Sequence, residues 1–508
     1  MFPHLLTIIQ KENLSRVFFR SLVGIEIEEH RINSNGELSR YPYPTILGSR
    51  KYHPYLQSDF AESQNEIITA PKTNIKGALK QLNVLQIVLA HSLENDEYIW
   101  PLSMPPSLDK KTLNFISKNF KRIDYQKYRN YLIKKYSIPI KIICGIHINF
   151  SLPKNFLIPI FRHYQNKFKD FDDFKNQLYF HIAQNFILYR WIFTYLFGAS
   201  PIVQKGFGKQ TNEISFPIRS FRNSTHGYTN KKEDQLDTSI YSNLENYTKA
   251  ISLAVKKHHL YSPAEFYGPV RLKGSGLLQN KKNKVEYLEF RTFDNDPFSL
   301  NGINKDELTF FQICLFYFLI KPIKSKALTK NLKKSSKDNN QTALENPYQL
   351  SFKINNGLNF FKDLLKVANS LSFGKQKLQI IKKYQNFIKK PKLTLAAKIT
   401  KNIDKKGSLK TFGLKIAKKR KKIFLNSKNI FPSLSYLPFN IQKLIFYSIR
   451  FGINYSESRN KENKQVLKLV FNGKTKEVNI NDFHEKNILS FLYKIFPNLK
   501  IIAFKNQW

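Results

Sequence analysis

"VGIEIEEHRI", residues 23–32, decides the fold of this chain. Its two-residue period is that of a half-buried strand, with Ile25, Ile27 and Glu29 on one face and Glu26, Glu28 and His30 on the other. Three acids within four positions stand out in a protein with 83 Lys+Arg against 37 Asp+Glu. Either this is a solvated edge, or something requires the negative charge.

The same texture continues on both sides. "SNGELS" (34–39) turns the chain at an Asn-Gly step, and "EIITAP" (66–71) reads as another strand. "KIICGIHINFSLP" (141–153) predicts a strand with Ile146, Ile148 and Phe150 on one face and Gly145, His147 and Asn149 on the other. "KVEYLEFRTFDNDPF" (284–298) predicts one that presents Tyr287, Glu289 and Arg291 together. Helical spacing covers 1–20, 74–94, 165–198, 305–320 and 358–391. Strands and helices mix without regular βα alternation, so the fold class is α+β with an antiparallel sheet. There is no internal repeat, and "VLKLVFNGKTKEVNI" predicts a hairpin around Asn472-Gly473.

The 508 residues are 42% hydrophobic and 14% aromatic, a globular composition. The formal charge of +46 alone would suggest nucleic acid or an anionic membrane as partner. The chain is also rich in Asn, Ile, Phe and Tyr and poor in Gly, the residues AT-rich codons favour and disfavour. Its lysines are spread widely, densest in "KSKALTKNLKKSSKDNN" (324–340) and "KIAKKRKKIF" (415–424). We read the charge as compositional and expect no nucleic-acid partner. Cys144 and Cys314 show neither metal spacing nor a disulfide framework, which fits a reducing cytoplasm. "MFPHLLTIIQKENLSR" lacks the features of a signal peptide. "FFQICLFYFLI" (310–320) is too short to span a bilayer, and "FILYRWIFTYLFGASP" (186–201) carries Arg190, so both are expected as buried helices and the protein as soluble and cytoplasmic.

Polar residues on strand faces that would otherwise meet a core form the candidate site: Glu26 and Glu28, then Asp59, Glu62 and Glu66 in "SDFAESQNEIITAP" (58–71), then His147 and Glu289. Carboxylates grouped with one imidazole are ligands for Mg²⁺ or Mn²⁺, because hard cations prefer oxygen. Each residue alone has a plainer reading, as an acid paired to a surface lysine or a satisfied structural histidine; the recurrence of the face pattern argues for a site. A second group, Tyr128-Arg129, Arg222, Tyr228, Tyr267, Arg271 and Arg291, suits anions. No P-loop or dinucleotide-binding glycine pattern occurs. The pattern alone reaches a metal-and-anion site compatible with ATP.

Whole strings go further. "GIEIEEHRI", "ILGSRKYHPYLQSDFAESQNEIITAP", "WPLSMPP", "GIHINFSLP", "YLFGASP", "SFRNSTHGYTNK" and "YLEFRTFDNDPFSLNGI" occur in that order, with "KPKLTLAAKI" (390–399) after them. Over roughly residues 15–425 the chain resembles the proteobacterial glutamate–cysteine ligases (γ-glutamylcysteine synthetases). The resemblance implies a glutamine synthetase-like core, in which a curved antiparallel sheet forms a funnel-shaped site with helices outside. It implies ATP- and Mg²⁺-dependent ligation of L-glutamate to L-cysteine through γ-glutamyl phosphate, the first step of glutathione synthesis, with Mn²⁺ as a substitute metal. On the matching strings, Glu26, Glu28, Asp59, Glu66, His147 and Glu289 fall on metal ligands. Tyr128, Arg129, Arg222, Tyr228 and Tyr267 fall on the amino-acid pockets, and Arg291, with Asn230 and Lys231, on nucleotide contacts. Arg291 and Glu66 are the expected catalytic groups.

The departures are Ile27, where relatives often carry Arg, and "RNSTHGYTNK", where a more apolar string is usual. Residues 1–430 are expected as the catalytic domain and 431–508 as an extension without resemblance. The length leaves no room for the second domain of bifunctional glutathione synthases, so one reaction step and a monomer are expected. Alternatives are a related carboxylate–amine ligase using another amine, and a basic nucleic-acid-binding protein on a decayed ligase scaffold.

Overall fold

Strand β1 (Leu22–Ile32) runs through the middle of a seven-stranded antiparallel sheet. On one side it pairs with β3 (Gln64–Ile68), which pairs in turn with the edge strand β2 (Leu56–Ser58). At its far end it pairs with β4 (Tyr98–Ile99). On its other side lie β5 (Ile146–Ser151), then β7 (Lys284–Phe293), then β6 (Val270–Ser275). This computed structural model describes residues 2–48, 53–118, 126–208, 214–234, 236–277, 284–323, 325–426 and 429–499. Residues 49–52 of the second resembling string and Lys324 of the basic run lie outside them.

The period-2 pattern sorts the sheet into two faces. Ile25, Ile27, Ile67, Ile146, Ile148, Phe290 and Val270 are buried together with the helices Ile75–Ala90, Phe171–Phe197 and Lys305–Ile320. Each such side chain contributes about 1.5–3 kcal/mol on burial, and a one-residue slip of register would forfeit that for a whole strand at once. The sheet curls into a half-barrel, and its other, concave face carries the polar residues. In the β5–β7 ladder Ile146 faces Phe293 and Ile148 faces Phe290, so Arg291 and Thr292 both stand opposite His147. This bulge re-aims the strand beside the site.

The three helices that cover the sheet are each capped by a side chain at their N-terminus. Asn74 accepts from the Gly77 amide, Asp170 from the Asp173 amide, and Asn304 forms a capping box with Glu307. Both apolar stretches are buried helices, and among the described residues no helix is long and apolar enough to cross a membrane. Cys144 and Cys314 are buried free thiols.

Several expected elements differ in extent; the strand read over 284–298 ends at Phe293 and the helix read over 74–94 at Ala90. The segment read as helix over 1–20 is two short helices, Leu5–Lys11 and Ser15–Phe18. The helix expected over 165–198 begins at Phe171, after the Asp170 cap. The helix read over 358–391 is two, Ile354–Ser370 and Lys375–Lys389, because Ser372 and Gly374 at φ 48° and 86° turn the chain between them. The strand read over 141–153 spans only 146–151, and a one-turn helix, Ile138–Lys141, precedes it.

The described tail continues the fold. Helix Phe439–Arg450 leads into a three-stranded sheet of β8 (Asn454–Arg459), β9 (Gln465–Phe471) and β10 (Lys474–Asn479), followed by helix Ile488–Ile495. The expected hairpin is present, with Asn472 and Gly473 both at positive φ as a type I′ turn requires. Ile441, Leu444, Ile445, Leu467 and Leu469 share the main core, and His53 Nε2 lies 2.7 Å from the Ile449 carbonyl.

Candidate functional site

Directly paired residues on neighbouring strands point to the same face, so the registers alone assemble the site. One row across the concave face carries Glu26 of β1, His147 of β5 and, through the bulge, Arg291 of β7. The next carries Asn149 of β5, Glu289 of β7 and Arg271 of β6. A third pairs Glu28 of β1 with Glu66 of β3. With Asp59, just after β2, these residues line one cavity of about 350 Å³, Asn149 lying beside it.

The contacts are close. Glu26 accepts from Asn149 Nδ2 at 2.7 Å, and its other oxygen lies 3.2 Å from His147 Nδ1. His147 Nε2 lies 3.7 Å from Glu28 and, though buried, has no hydrogen-bond partner among the described residues. Glu28 accepts from the Gly145 amide at 2.9 Å. Glu289 is ringed by cations: Lys273 at 2.6 Å, Arg271 at 3.4 Å, and Arg291. One ligand atom each from Glu26, His147 and Glu289 lie within 4.8 Å of one another.

The protonation tendencies follow from this crowding. Burial and then Asp59 push Glu28 up to about 8, against Arg222 and Arg291. Burial, then Asp59, Glu26, Glu28 and Glu289, push Glu66 well above the usual carboxylate range. Burial acts on Glu289 too, but Arg271, Arg291 and Lys273 outweigh it and hold the group well below that range. Burial likewise opposes the lowering of Glu26, which the His147 hydrogen bond wins. His147 is pushed down to about 4 by burial and then Arg291, so at neutral pH it is an uncharged imidazole with a lone pair to offer. Carboxylates that retain protons for want of counter-charge, beside an orphaned imidazole nitrogen, fit a divalent cation. The donor set, oxygen with one nitrogen, suits Mg²⁺ or Mn²⁺.

The other expected residues divide. Tyr128, Arg129, Tyr228 and Tyr267 line the same cavity. Arg129 spends its fork on the carbonyls of Phe60, at 3.1 Å, and Ile116. Arg222 sits behind, donating to the carbonyls of Arg291 and Phe293 at 3.0 and 3.2 Å, and so braces the bulge. It lines a second cavity of about 110 Å³ that shares Tyr228, Tyr267 and Arg291 with the first. Asn230 also lines that second cavity, but its amide is engaged: it donates to the Glu265 carbonyl and accepts from the Tyr267 amide. The Lys231 side chain is exposed and lines neither cavity. Glu62 is turned away and accepts from the Tyr43 amide at 2.8 Å. Glu29 lies on the opposite face from Glu28, bound by Arg420 and Gln86.

Three residues at or beside the candidate cavity were assigned no role in the sequence reading. Lys273 follows Arg271 at strand spacing in "VRLKGS", a legible signal. Asn149 shares the His147 face. Lys141 had no signal: it ends the one-turn helix, is buried, and places Nζ 3.0 Å from the Tyr228 hydroxyl and 2.7 Å from that of Tyr267. Burial pushes this ammonium down to about 7, against the pull of Asp59 and Glu28.

A curled antiparallel sheet with such a concave face has relatives. The glutamate-cysteine ligase family model matches residues 6–262 and 256–343. A bifunctional glutathione biosynthesis protein of Streptococcus mutans is 34% identical over 475 residues, covering 92% of this chain and 61% of that one. Its counterpart in Streptococcus thermophilus is 38% identical over 315 residues, 61% of this chain and 40% of that one. Among solved structures, a bifunctional glutathione synthetase from Pasteurella multocida superposes with a TM-score of 0.81 at 29% identity, covering 93% of this chain and 61% of that one. A glutamate–cysteine ligase from Francisella tularensis, in complex with AMP, superposes with a TM-score of 0.73 at 25% identity, covering 85% and 92%. The chain belongs to the glutamate–cysteine ligase family. It spans less than two thirds of the length of the curated bifunctional relatives it matches.

Proposed function

We propose that this chain joins the γ-carboxylate of L-glutamate to the amine of L-cysteine with cleavage of ATP, forming γ-glutamylcysteine by way of γ-glutamyl phosphate. The observation that carries the reading is the convergence of Glu26, Glu28, Asp59, Glu66, His147 and Glu289 with Arg291 on one cavity. Family membership and the AMP bound to the Francisella tularensis ligase support the same reaction class.

The chemistry explains the residue types. A carboxylate is a poor acyl donor, and phosphorylation gives it a leaving group. Bound Mg²⁺, or Mn²⁺ in its place, held by the six ligands, would neutralise charge on the polyphosphate and the attacking carboxylate. Arg291, fixed by Glu289, supplies positive charge where it develops on the transferred phosphoryl group. Tyr128, Arg129, Tyr228 and Tyr267 wall the amino-acid pockets, and Arg222 supports them from behind. The amine sheds a proton on attacking the acyl phosphate, and the carboxylates of the cluster, Glu66 among them, are the candidate bases once a bound cation has displaced their own protons. ATP as a substrate, with free thiols at Cys144 and Cys314, suits the cytoplasm. We assign the reaction to residues 1–430 and a buttressing role to the segment from 431.

The test is phosphate release from Mg-ATP by the purified chain. Release should require both L-glutamate and L-cysteine and fall at least about 100-fold in Glu26→Gln and Arg291→Ala. Release indifferent to cysteine overturns the proposal.

A further inference from the structure

We propose that the second cavity, behind the β7 bulge, is a binding site for inorganic phosphate held by Arg190, Arg222 and Thr292. That the ion comes from the acyl phosphate rests on the ligase reading above; that the site takes a small oxyanion does not.

Arg190 lines this cavity from helix Phe171–Phe197 and forms no hydrogen bond or ion pair among the described residues. Its Nε is sealed from solvent. Burial pushes the guanidinium down to about 10, with only Tyr241 acting against it, so the group stays charged at neutral pH. Three buried arginines elsewhere in the fold are paired: Arg31 with Glu97 at 2.7 Å, Arg219 with Glu345 at 2.9 Å and Arg420 with Glu29 at 3.3 Å. A charge withdrawn from water without such a partner is costly, and an anion in the cavity removes the cost.

Two more atoms on the same walls are orphaned. Arg222 Nε and Thr292 Oγ1 have no hydrogen-bond partner among the described residues, in side chains 4% and 2% exposed. Guanidinium N–H groups only donate, and a threonine hydroxyl can donate, so all three atoms call for an acceptor. Water would satisfy the hydrogen bonds but not the charge. The donors come from a helix, a loop and a strand, and a tetrahedral anion offers oxygens in as many directions, whereas a carboxylate offers two in one plane.

Size and charge narrow the ligand further. The cavity of about 110 Å³ has room for one small ion with a water or two, at about 30 Å³ per water, and not for a nucleotide. Among its described lining residues Asp237 is the one carboxylate; it is exposed and pairs with Lys333 at 3.4 Å. None of the six candidate metal ligands lines it, so an anion here avoids the repulsion of the acid cluster.

The two cavities meet at Arg291, Tyr228 and Tyr267. When the amine attacks the acyl phosphate, the C–N bond forms and the bond from the acyl carbon to the phosphate oxygen breaks. Orthophosphate leaves with that electron pair, and the amine proton goes to a carboxylate. The ion set free beside Arg291 then has an adjoining arginine site clear of acids. Its role is to part the product phosphate from the metal-bound nucleotide.

The experiment titrates inorganic phosphate into the full chain by calorimetry, without nucleotide or Mg²⁺. Arg190→Met should raise Kd about 10- to 100-fold, the worth of one charge-assisted hydrogen bond, and Arg190→Lys by less. Lys273→Met, in the cation cluster of the first cavity, should change Kd less than about twofold. Sulfate should displace the phosphate and L-glutamate should not. In turnover, the phosphate concentration that halves the rate should rise in Arg190→Met by the same factor as Kd. Binding kept in Arg190→Met but lost in Lys273→Met overturns the assignment. So does displacement by L-glutamate, which would put a substrate carboxylate at Arg190. Without phosphate, Arg190→Met should melt no lower than wild type, because it removes an unpaired buried charge. A lower midpoint would give the guanidinium a structural partner and also overturn the site. Binding is read without substrates, so a ligase reading that fails on cysteine-independent release leaves this result to be judged alone.

Discussion

Glu28 and Glu66 stand directly opposite one another in the β1–β3 ladder, both on the concave face. Like charges at such a cross-strand pair destabilise a sheet, and here Asp59 adds a third carboxyl. Replacing Glu66 by Gln should therefore raise the stability of the metal-free protein by about 1 kcal/mol, a degree or two in melting temperature for a chain this long. In Mg²⁺ the order should reverse, because wild type gains binding energy that the variant has lost. Thermal melts with EDTA and with Mg²⁺ make the comparison, and a variant less stable in both conditions would show that the acids do not repel.

Arg291 offers a sharper test of the chemistry. Its guanidinium is anchored on Glu289 and its backbone amide on the Pro269 carbonyl, so truncation removes charge without unpinning the strand. Arg291→Ala should cut kcat for phosphate release about 10²–10³-fold, the usual loss for one preorganised donor to transition-state charge. The Mg²⁺-dependent rise in melting temperature should survive. A variant that loses metal binding along with activity would make Arg291 structural.

The acid face was legible in the sequence because β1 and β5 are regular and β7 is regular up to its bulge: a period of two puts Glu26, Glu28, His147, Glu289 and Arg291 on the polar side. The hydrophobic sides of the same strands gave the core. What the period could not give is where a strand stops. Extending β5 back to 141 treated Lys141 as a strand residue, whereas Ile138–Lys141 is a helical turn that swings the lysine into the cavity. Glu62 sits three residues after Asp59 in a loop, where alternation has no force, and a backbone amide of Tyr43 claims it. The break at 371–374 depends on two residues at positive φ, one of them a serine that carries no such signature. Asn230 and Lys231 were placed through the resemblance alone, in the string that departs from the family pattern.

Gly145 has a steric role that can be tested apart from catalysis. A Cβ there would lie 2.1 Å from the guanidinium carbon of Arg222, which is buried and tied to the carbonyls of Arg291 and Phe293. Gly145→Ala should displace Arg222, disturb the bulge and lower kcat/KM at least tenfold. The same substitution placed on Arg222→Met should cost much less than it does alone, because the shorter side chain leaves room. Simple additivity of the two changes in kcat/KM would show that the glycine is needed for something else.

His53 couples the tail to the sheet in a pH-dependent way. Its Nδ1 accepts from the amides of Tyr55 and Leu56, so Nε2 carries the proton and donates to the Ile449 carbonyl. Protonating Nδ1 would set a third N–H against two donors, and burial already pushes the group down to about 4. The unfolded chain, with an ordinary histidine, takes up that proton near pH 6.5. Between those values the unfolded state binds more protons than the folded one, so stability is full above about pH 6.5 and falls as the pH drops toward 4. The loss from this one group amounts to about 3 kcal/mol across that window. His53→Gln should be less stable than wild type at pH 7, where it lacks the three-way contact, yet show a shallower decline on acidification. Denaturant unfolding at pH 7, 6 and 5 reads both effects, and parallel decline of the two proteins would remove His53 as the source.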